Sequence, residues 1–345
     1  MIKVSIIGVT GYTGVELLRI LLRHPEVEIC DLMSRSYVGK KISEIYPQFT
    51  SKEGFVLKNY EESENSKADL IFTALPHGVS QKITGKLYHR DLKIIDLSGD
   101  FRYESQKTYE EWYEQEHEYP ELLEEAVYGL VELNYNKIKN ASLIANPGCY
   151  PTASILGILP LLSEKVIKEN SIIIDAKSGV SGAGKSLNKV THFIEANESI
   201  KAYGITTHRH TSEIEEQLGR YINKKNLNVC FTPHLVPMKR GILATIYAKT
   251  DEELSEADFK ELYNNFYQTS EFVQVLEDNI PDTKHVAGSN YCHLGVNLDH
   301  RNSRVIITSA IDNLGKGAAG QAVQNMNVMF DLPEETGLKD SAIFP

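Results

Sequence analysis

Four cysteines in 345 residues, Cys30, Cys149, Cys230 and Cys292, stand far apart and form no CxxC pair. That spacing excludes a zinc ribbon or a disulfide framework and fits a reducing cytoplasm. Long apolar runs are missing too: none approaches the roughly 20 residues that cross a bilayer, so no membrane-spanning segment is expected. Positive charge is in deficit, with a formal net charge of −11. This argues against nonspecific nucleic-acid binding and requires any anionic substrate to meet a locally basic pocket. There is no internal repeat and no low-complexity linker. The first strand is expected to begin at Ile2, so no export or transit peptide is expected.

What is present is an ordinary globular composition, 41% hydrophobic and 24% charged, in a chain long enough for two domains. The apolar run IKVSII at 2–7 leads through GVTGYTG into the amphipathic VELLRILLRHP, which reads as strand, glycine turn, helix. Further strands are expected at about 27–35, 69–75, 92–98 and 142–148, and their alternation with helices predicts a parallel doubly wound sheet of Rossmann type. After Cys149 the pattern changes to longer strands, SIIIDAKSG, NVCFTPHLVP, ILATIYAKT and RVIITSAID. These predict an α+β domain on a mixed, largely antiparallel sheet. The acid-rich stretches 61–65 and 108–126, the latter holding the one Trp, read as solvated helical faces.

Gly8, Gly11 and Gly14 of the first loop are spaced three and three, with Thr10, Tyr12 and Thr13 between them. Following a strand and opening a helix, the loop offers N-terminal amides to a pyrophosphate; a tight turn without ligand is the plain alternative. Where an NAD site usually carries an acid at the end of the second strand, this chain has Ser34-Arg35, and an Arg there can pair with a 2′-phosphate, so NADP is the expected cofactor. Asp31 is the rival ribose acceptor, and a surface Arg35 the plain reading.

Cys149 lies in NPGCYPT, before an apolar helix expected to be capped by Thr152, at a turn enforced by Pro147 and Gly148. A helix N-terminus stabilises a thiolate and can hold an oxyanion. The other three cysteines read as core. In TTHRHTSEIEE, His208 and His210 would face one side of an extended segment, and Ser212 with Glu215 matches a capping box that sets them before a helix. A neutral His there suits a general base. Zinc binding by the pair lacks a third ligand at a fitting distance, so no metal is expected.

GVSGAGKS at 179–186 matches the phosphate-loop pattern letter for letter through Gly179, Gly184, Lys185 and Ser186. A dinucleotide fold already occupies 2–100, however, and no second nucleotide-hydrolase element follows. Its small residues let backbone amides approach an anion closely.

Taken together, GVTGYTGVELLR, ALPHG at 74–78, DLSGDFR at 96–102, NPGCYPT, KSGVSGAGK, YGITTHRHTSEI and DNLGKGAAGQAVQNMN span nearly the whole chain and resemble the N-acetyl-gamma-glutamyl-phosphate reductase family, related to aspartate-semialdehyde dehydrogenase. The resemblance implies an NADP-binding domain at 1–148, completed by a C-terminal helix at 313–330, and a catalytic and oligomerisation domain at 149–312. It implies Cys149 as nucleophile attacking an acyl phosphate, a thioester reduced by NADPH, and His208, or else His210, as acid/base. Cofactor contacts would also come from Pro76, Ser178, Gly179, Ser181, Gly182 and Asn313, and a basic pocket from Arg102, Lys177 and Arg240. A cytoplasmic homo-oligomer, dimer or tetramer, in arginine biosynthesis follows from the same likeness. Reduction of an aspartyl or carrier-bound aminoadipyl phosphate, or a noncatalytic NADP-sensing module, are the competing readings.

Overall fold

The structure is a computed structural model that describes residues 1–52, 54–88, 92–251 and 254–343. The chain divides into two compact units, the first from Met1–Pro147 and Ala318–Leu338, the second from Gly148–Gly317 with the tail beyond it.

In the first unit, β1 (Ile2–Ile7), β2 (Val27–Met33), β3 (Leu70–Thr73), β4 (Lys93–Asp96), β5 (Val127–Tyr128) and β6 (Leu143–Ala145) form one sheet in the order β2-β1-β3-β4-β6-β5. Every pairing is parallel, and the strands are short buried runs, with Ile71, Phe72, Ile94, Ile95 and Ile144 wholly inaccessible. Helices on both faces are what such double-sided burial requires. They include α1 (Tyr12–Leu21), α2 (Ser80–Tyr88), α3 (Gln106–Tyr113) and α4 (Val131–Lys139). The strand order reverses between β1 and β3, where ligands of such sheets bind.

The strand expected at 142–148 is β6, the last of this sheet in chain order, and the two-residue β5 lies beside it at the edge. One expectation is corrected here: the acid-rich stretch 108–126 is not simply a solvated face. Its carboxylates point outward, but Tyr109, His117, Leu122 and Leu123 are buried. The Tyr109 hydroxyl donates to Asp100 at 2.9 Å, and its ring stacks on Tyr113.

The second unit opens with α5 (Cys149–Ser163), followed by β7 (Ile173–Gly179), β8 (Lys201–Ala202), α6 (His210–Tyr221), β9 (Cys230–Val236), β10 (Ile242–Lys249), α7 (Glu256–Phe266), β11 (Val273–Val275), β12 (Cys292–Asp299) and β13 (Arg304–Ile311). Its sheet runs β11-β12-β13-β10-β7-β9-β8. Two pairings, β11 with β12 and β7 with β9, are parallel, and the others are antiparallel. α5 is buried from Tyr150 to Leu162 and packs on β10, β13 and α6. β7 and β10 alternate buried and half-buried residues, so one sheet face lies under helices and the other is open. A groove of about 580 Å³ on that open face is lined by Ile173, Asp175, Thr232, His234, Tyr247 and Arg304, among others.

After a π-helical turn at Gly315–Ala319, α8 (Gly320–Met329) belongs to the first unit. It packs on α1, α4 and β4 and is tied there by amide groups. Asn325 Nδ2 donates to the Gly129 carbonyl at 2.8 Å, and Asn327 Oδ1 lies 2.9 Å from His24 Nε2.

Candidate active site

In the first unit, the loop after β1 is shaped by glycine. Gly8 has φ +84°, and a Cβ there would meet the Ala74 carbonyl oxygen at 2.3 Å; one on Gly14 would meet the Gly8 oxygen at 2.3 Å. Gly11 caps α1 without a side chain. The first-turn amides of Tyr12, Thr13 and Gly14 have no acceptor within the helix, the arrangement by which a helix N-terminus binds an anion. This cradle fits a dinucleotide pyrophosphate. Thr10 Oγ1 lies 3.1 Å from Ser34 Oγ, linking the loop to the end of β2, where Arg35 is exposed. The rival Asp31 is buried and engaged by Lys58 and Ser66, so its carboxylate is turned away from a ribose role. Pro76 begins the turn into α2, its carbonyl accepting from Val79 and Ser80, while Gly78 N–H donates to both Asp100 oxygens at 2.9 and 3.0 Å.

In the second unit, Cys149 is the first residue of α5, with Gly148 as N-cap. The cap expected from Thr152 does not form; that hydroxyl instead donates back to the Gly148 carbonyl at 2.9 Å. The amides of Cys149 and Tyr150 belong to the first turn of the helix, and Pro151 has none. Two packing facts fix the position of Cys149. Gly148 N–H donates to Glu213 Oε1 at 2.8 Å, and a Cβ on Gly317 would lie 2.8 Å from Cys149 Cβ. Of the other cysteines, Cys292 is buried, Cys30 half-buried and Cys230 exposed; the core reading fails for Cys230, which only begins an edge-side strand.

His208 and His210 are brought together, their ring centroids 4.9 Å apart, but in a turn rather than an extended run. α6 starts at His210, with Arg209 as N-cap. The expected capping box is absent: the Ser212 hydroxyl donates to the Arg209 carbonyl, and Glu215 Oε1 accepts from Val229 N–H. His208 is enclosed by Tyr150, Tyr203 and Phe231 at 5.4 to 5.7 Å between centroids. Burial, reinforced by the neighbouring Arg209 charge, pushes its pKa down to about 4. The His210 amide donates to His208 Nδ1 at 3.1 Å, so the neutral ring carries its proton on Nε2. His208 is therefore a hydrogen-bond donor through Nε2 at neutral pH. Tyr150 sits against both rings and takes a hydrogen bond from Tyr203. Glu213, Tyr150 and Tyr203 went unmarked in the sequence. The one available signal was Glu213's place one helical turn after His210.

The 178–182 loop is not a phosphate cradle. The amides of Gly179, Val180 and Ser181 donate to the carbonyls of Gly241, Met238 and Lys239, and no helix opens at Lys185. The nucleotide-hydrolase pattern is thus coincidental, and the expected approach of these three amides to an anion is overturned. Gly182 and the Ser181 hydroxyl remain at the surface of the loop. Asn313 holds this loop: its Nδ2 donates to Ser181 Oγ at 3.0 Å and its Oδ1 accepts from Gly241 N–H at 2.7 Å. Beside it, the buried Asp312 carboxylate pairs with Arg240 Nε at 2.6 Å and Nη2 at 2.9 Å and accepts from the amides of Leu314 and Gly315. It thereby fixes both Arg240 and the turn that presses Gly317 on Cys149. Lys177 departs from the expected pocket. It pairs with Asp175 at 2.7 Å on the open sheet face, opposite to the face that α5 covers. Arg102, in the first unit, is buried and donates to the carbonyls of Asn146 and Leu97. Among the described residues no group of three His, Cys, Asp or Glu could hold a metal, and no helix is long and apolar enough to cross a membrane.

Residues 3–141 match the family described as semialdehyde dehydrogenase, NAD binding domain, and residues 149–313 the one described as semialdehyde dehydrogenase, dimerisation domain. Among solved structures, an aspartate semialdehyde dehydrogenase II from Vibrio cholerae superposes with TM-score 0.74 at 19% identity, covering 96% of this chain and 98% of its own. A Candida albicans aspartate semialdehyde dehydrogenase with NADP gives 0.65 at 16% identity, covering 96% and 98%; at such identities these establish the fold. Similarity in sequence is much closer to proteins named N-acetyl-gamma-glutamyl-phosphate reductase. That of Halothermothrix orenii is 57% identical over 100% of both chains, and that of Caldicellulosiruptor bescii 51% identical over 98% of both. A Campylobacter jejuni relative is 52% identical over 98% of both. With identity this high along the full length, and with the glycine loop, the cysteine at a helix start and the paired histidines all in place, the chain belongs to the N-acetyl-gamma-glutamyl-phosphate reductase family.

Proposed function

We propose that this protein catalyses the NADPH-dependent reductive dephosphorylation of N-acetyl-L-glutamyl 5-phosphate to N-acetyl-L-glutamate 5-semialdehyde, a step of arginine biosynthesis. The observation that carries the reading is Cys149 at the first position of a 15-residue buried helix, with Glu213 gripping the preceding amide and two histidine rings against the following tyrosine.

The Cys149 thiolate attacks the acyl phosphate carbonyl, the carbon–oxygen bond to phosphate breaks, and inorganic phosphate leaves a thioester on the enzyme. The first-turn amides of α5 hold the oxyanion of each tetrahedral stage. His208, protonated on Nε2 and neutral, donates a hydrogen bond to the reacting oxygen. His210 takes the thiol proton at the start and returns a proton to complete the balance of one proton consumed per turnover. NADPH, when bound, would supply the hydride to the thioester carbonyl carbon; the carbon–sulfur bond then breaks, releasing the aldehyde and returning the Cys149 thiolate. Gly8, Thr10, Gly11, Tyr12, Thr13 and Gly14 bind the pyrophosphate; Ser34 and Arg35 recognise the 2′-phosphate; Pro76, Ser178, Gly179, Ser181, Gly182 and Asn313 border the cofactor. Arg240, held by Asp312 and a quarter exposed, is the better cation for the substrate phosphate, with Arg102 supporting the Asn146 backbone. Lys177 is not retained. The free thiols of all four cysteines support a cytoplasmic location, and the open sheet face supports a homo-oligomer.

The test is NADP⁺ reduction followed at 340 nm with N-acetylglutamate semialdehyde, with and without inorganic phosphate, and with aspartate semialdehyde in parallel. Phosphate-dependent turnover on the acetylated substrate is expected. Preference for aspartate semialdehyde would move the substrate, and turnover without phosphate would sink the acyl-phosphate chemistry.

A further inference from the structure

The buried side of the acid-rich stretch after β4 converges on a single turn, residues 75–78. β3 pairs with β1 on the side opposite β2, and the chain leaving it runs against the first glycine loop: a Cβ on Gly8 would run into the Ala74 carbonyl oxygen and lie 3.3 Å from Leu75 Cδ2. A dinucleotide that sets its phosphates on the β1 loop and its adenosine ribose at the end of β2 carries its other half across the turn after β3. Pro76 is exposed there and His77 half-buried. Whatever fixes this turn fixes a surface that the nicotinamide half meets.

Asp100 does so. Its carboxylate is fully buried, accepts from Gly78 N–H with both oxygens at 2.9 and 3.0 Å, and accepts from Gln81 N–H and the Tyr109 hydroxyl, each at 2.9 Å. Gly99 N–H donates to His77 Nδ1 at 2.8 Å, so the loop after β4 grips the turn after β3 at two successive residues. Burial and the facing Asp100 carboxylate push the pKa of the Tyr109 hydroxyl up, which keeps it a donor. α3 and the residues after it close tightly over both loops: a Cβ on Gly78 would run into Gln115 Oε1, and one on Gly99 into the Tyr113 hydroxyl. Gln115 Nε2 donates to the Tyr109 oxygen at 2.8 Å, and His117 Nε2 donates to the Asp100 carbonyl at 2.8 Å. Burying a carboxylate is costly; this one directs its charge at two backbone amides, which holds a surface turn in one place. We propose that Asp100 is a positioning residue for the nicotinamide half of the cofactor and that residues 105–117 brace it, a role that rests on the NADP reading given above.

The experiment divides the cofactor. NADP⁺ spans both halves of its site, whereas adenosine 2′,5′-bisphosphate reaches only the part built from the β1 loop, Ser34 and Arg35; both are titrated calorimetrically into the full chain. In Asp100→Asn, whose amide turns a donor toward donors, NADP⁺ is expected to bind roughly tenfold or more weakly, with the affinity for the bisphosphate unchanged. Tyr109→Phe and Gln115→Ala, which disturb the brace from the α3 side, should weaken NADP⁺ by less and again spare the bisphosphate. These two carry the test if Asp100→Asn does not fold. Arg35→Ala should weaken both ligands, which checks the cofactor reading by itself. Equal loss of both ligands in the Asp100, Tyr109 and Gln115 variants marks a general loosening of the sheet and overturns the positioning role. Unchanged NADP⁺ affinity in all three overturns it as well, and leaves the cofactor reading standing where Arg35→Ala still weakens both ligands. A wild type that binds neither ligand overturns the cofactor reading and the role of Asp100 together.

Discussion

The chemistry proposed for Cys149 rests on neighbours that are backbone or buried, and this shapes what substitutions do. Cys149→Ser is expected to leave NADPH binding intact by fluorescence titration while turnover disappears; substantial residual rate would remove the nucleophile. The two histidines separate by tautomer. Because His208 Nδ1 accepts the His210 amide, His210→Asn is expected to cost roughly a hundredfold or more in kcat and His208→Asn less, an order that steady-state kinetics on both variants checks. The sign of the pH effect follows from the depressed pKa of His208, about 4. The unfolded chain binds this proton below about 6.5 while the folded one does not until pH nears 4. The stability that a neutral His208 contributes is thus complete above pH 6.5 and lost as pH falls toward 4. Thermal melts from pH 7 to 4.5 should show a smaller acid decline in His208→Gln than in the wild type, and the His208 ring resonance should not titrate between pH 8 and 5.

At the scale of elements, two glycines carry the most pointed expectations. In Gly8→Ala the left-handed backbone alone costs about 1–2 kcal/mol, and the new Cβ meets the Ala74 oxygen; cofactor affinity by titration should fall, with the thiol still alkylated at its usual rate. Gly317→Ala presses on Cys149 Cβ and should do the reverse, slowing alkylation by iodoacetamide with little effect on cofactor binding. Elements were legible in the sequence where local chemistry decided them. β1 and its glycine loop, the cysteine helix and four of the long strands announce themselves by apolar runs, which glycine or proline ends at β1, β7 and β9. The misses share another cause. β5, β8 and β11 are two or three residues long and exist because a neighbouring strand offers them hydrogen bonds, which no local pattern records. The interior of β12 contains Gly295 and Asn297, which hide its alternation. Ser212 and Glu215 imitate a cap, because the same side chains that cap a helix also bond to distant amides such as Val229. Glu213, the carboxylate that holds Gly148, is separated from it by 65 residues and emerges only when α5 and α6 pack together.

For the whole molecule, the cofactor choice is open to a direct comparison. A ligand that binds only the folded chain stabilises it by about 2.7 kcal/mol at a hundredfold excess over its dissociation constant. NADP⁺ should raise the melting temperature at concentrations where NAD⁺ does not, and equal shifts would remove the role given to Ser34 and Arg35. The assignment of α8 to the first unit has a further consequence for synthesis. A ribosome delivers residues 1–147 first, yet the groups that close that unit, Asn325 on Gly129 and Asn327 on His24, leave the exit tunnel only after the entire second unit has been made. The nascent nucleotide-binding sheet therefore waits, one helix short, for as long as translation of the intervening 170 residues lasts. A message truncated before codon 318 would leave its product with that gap permanently open.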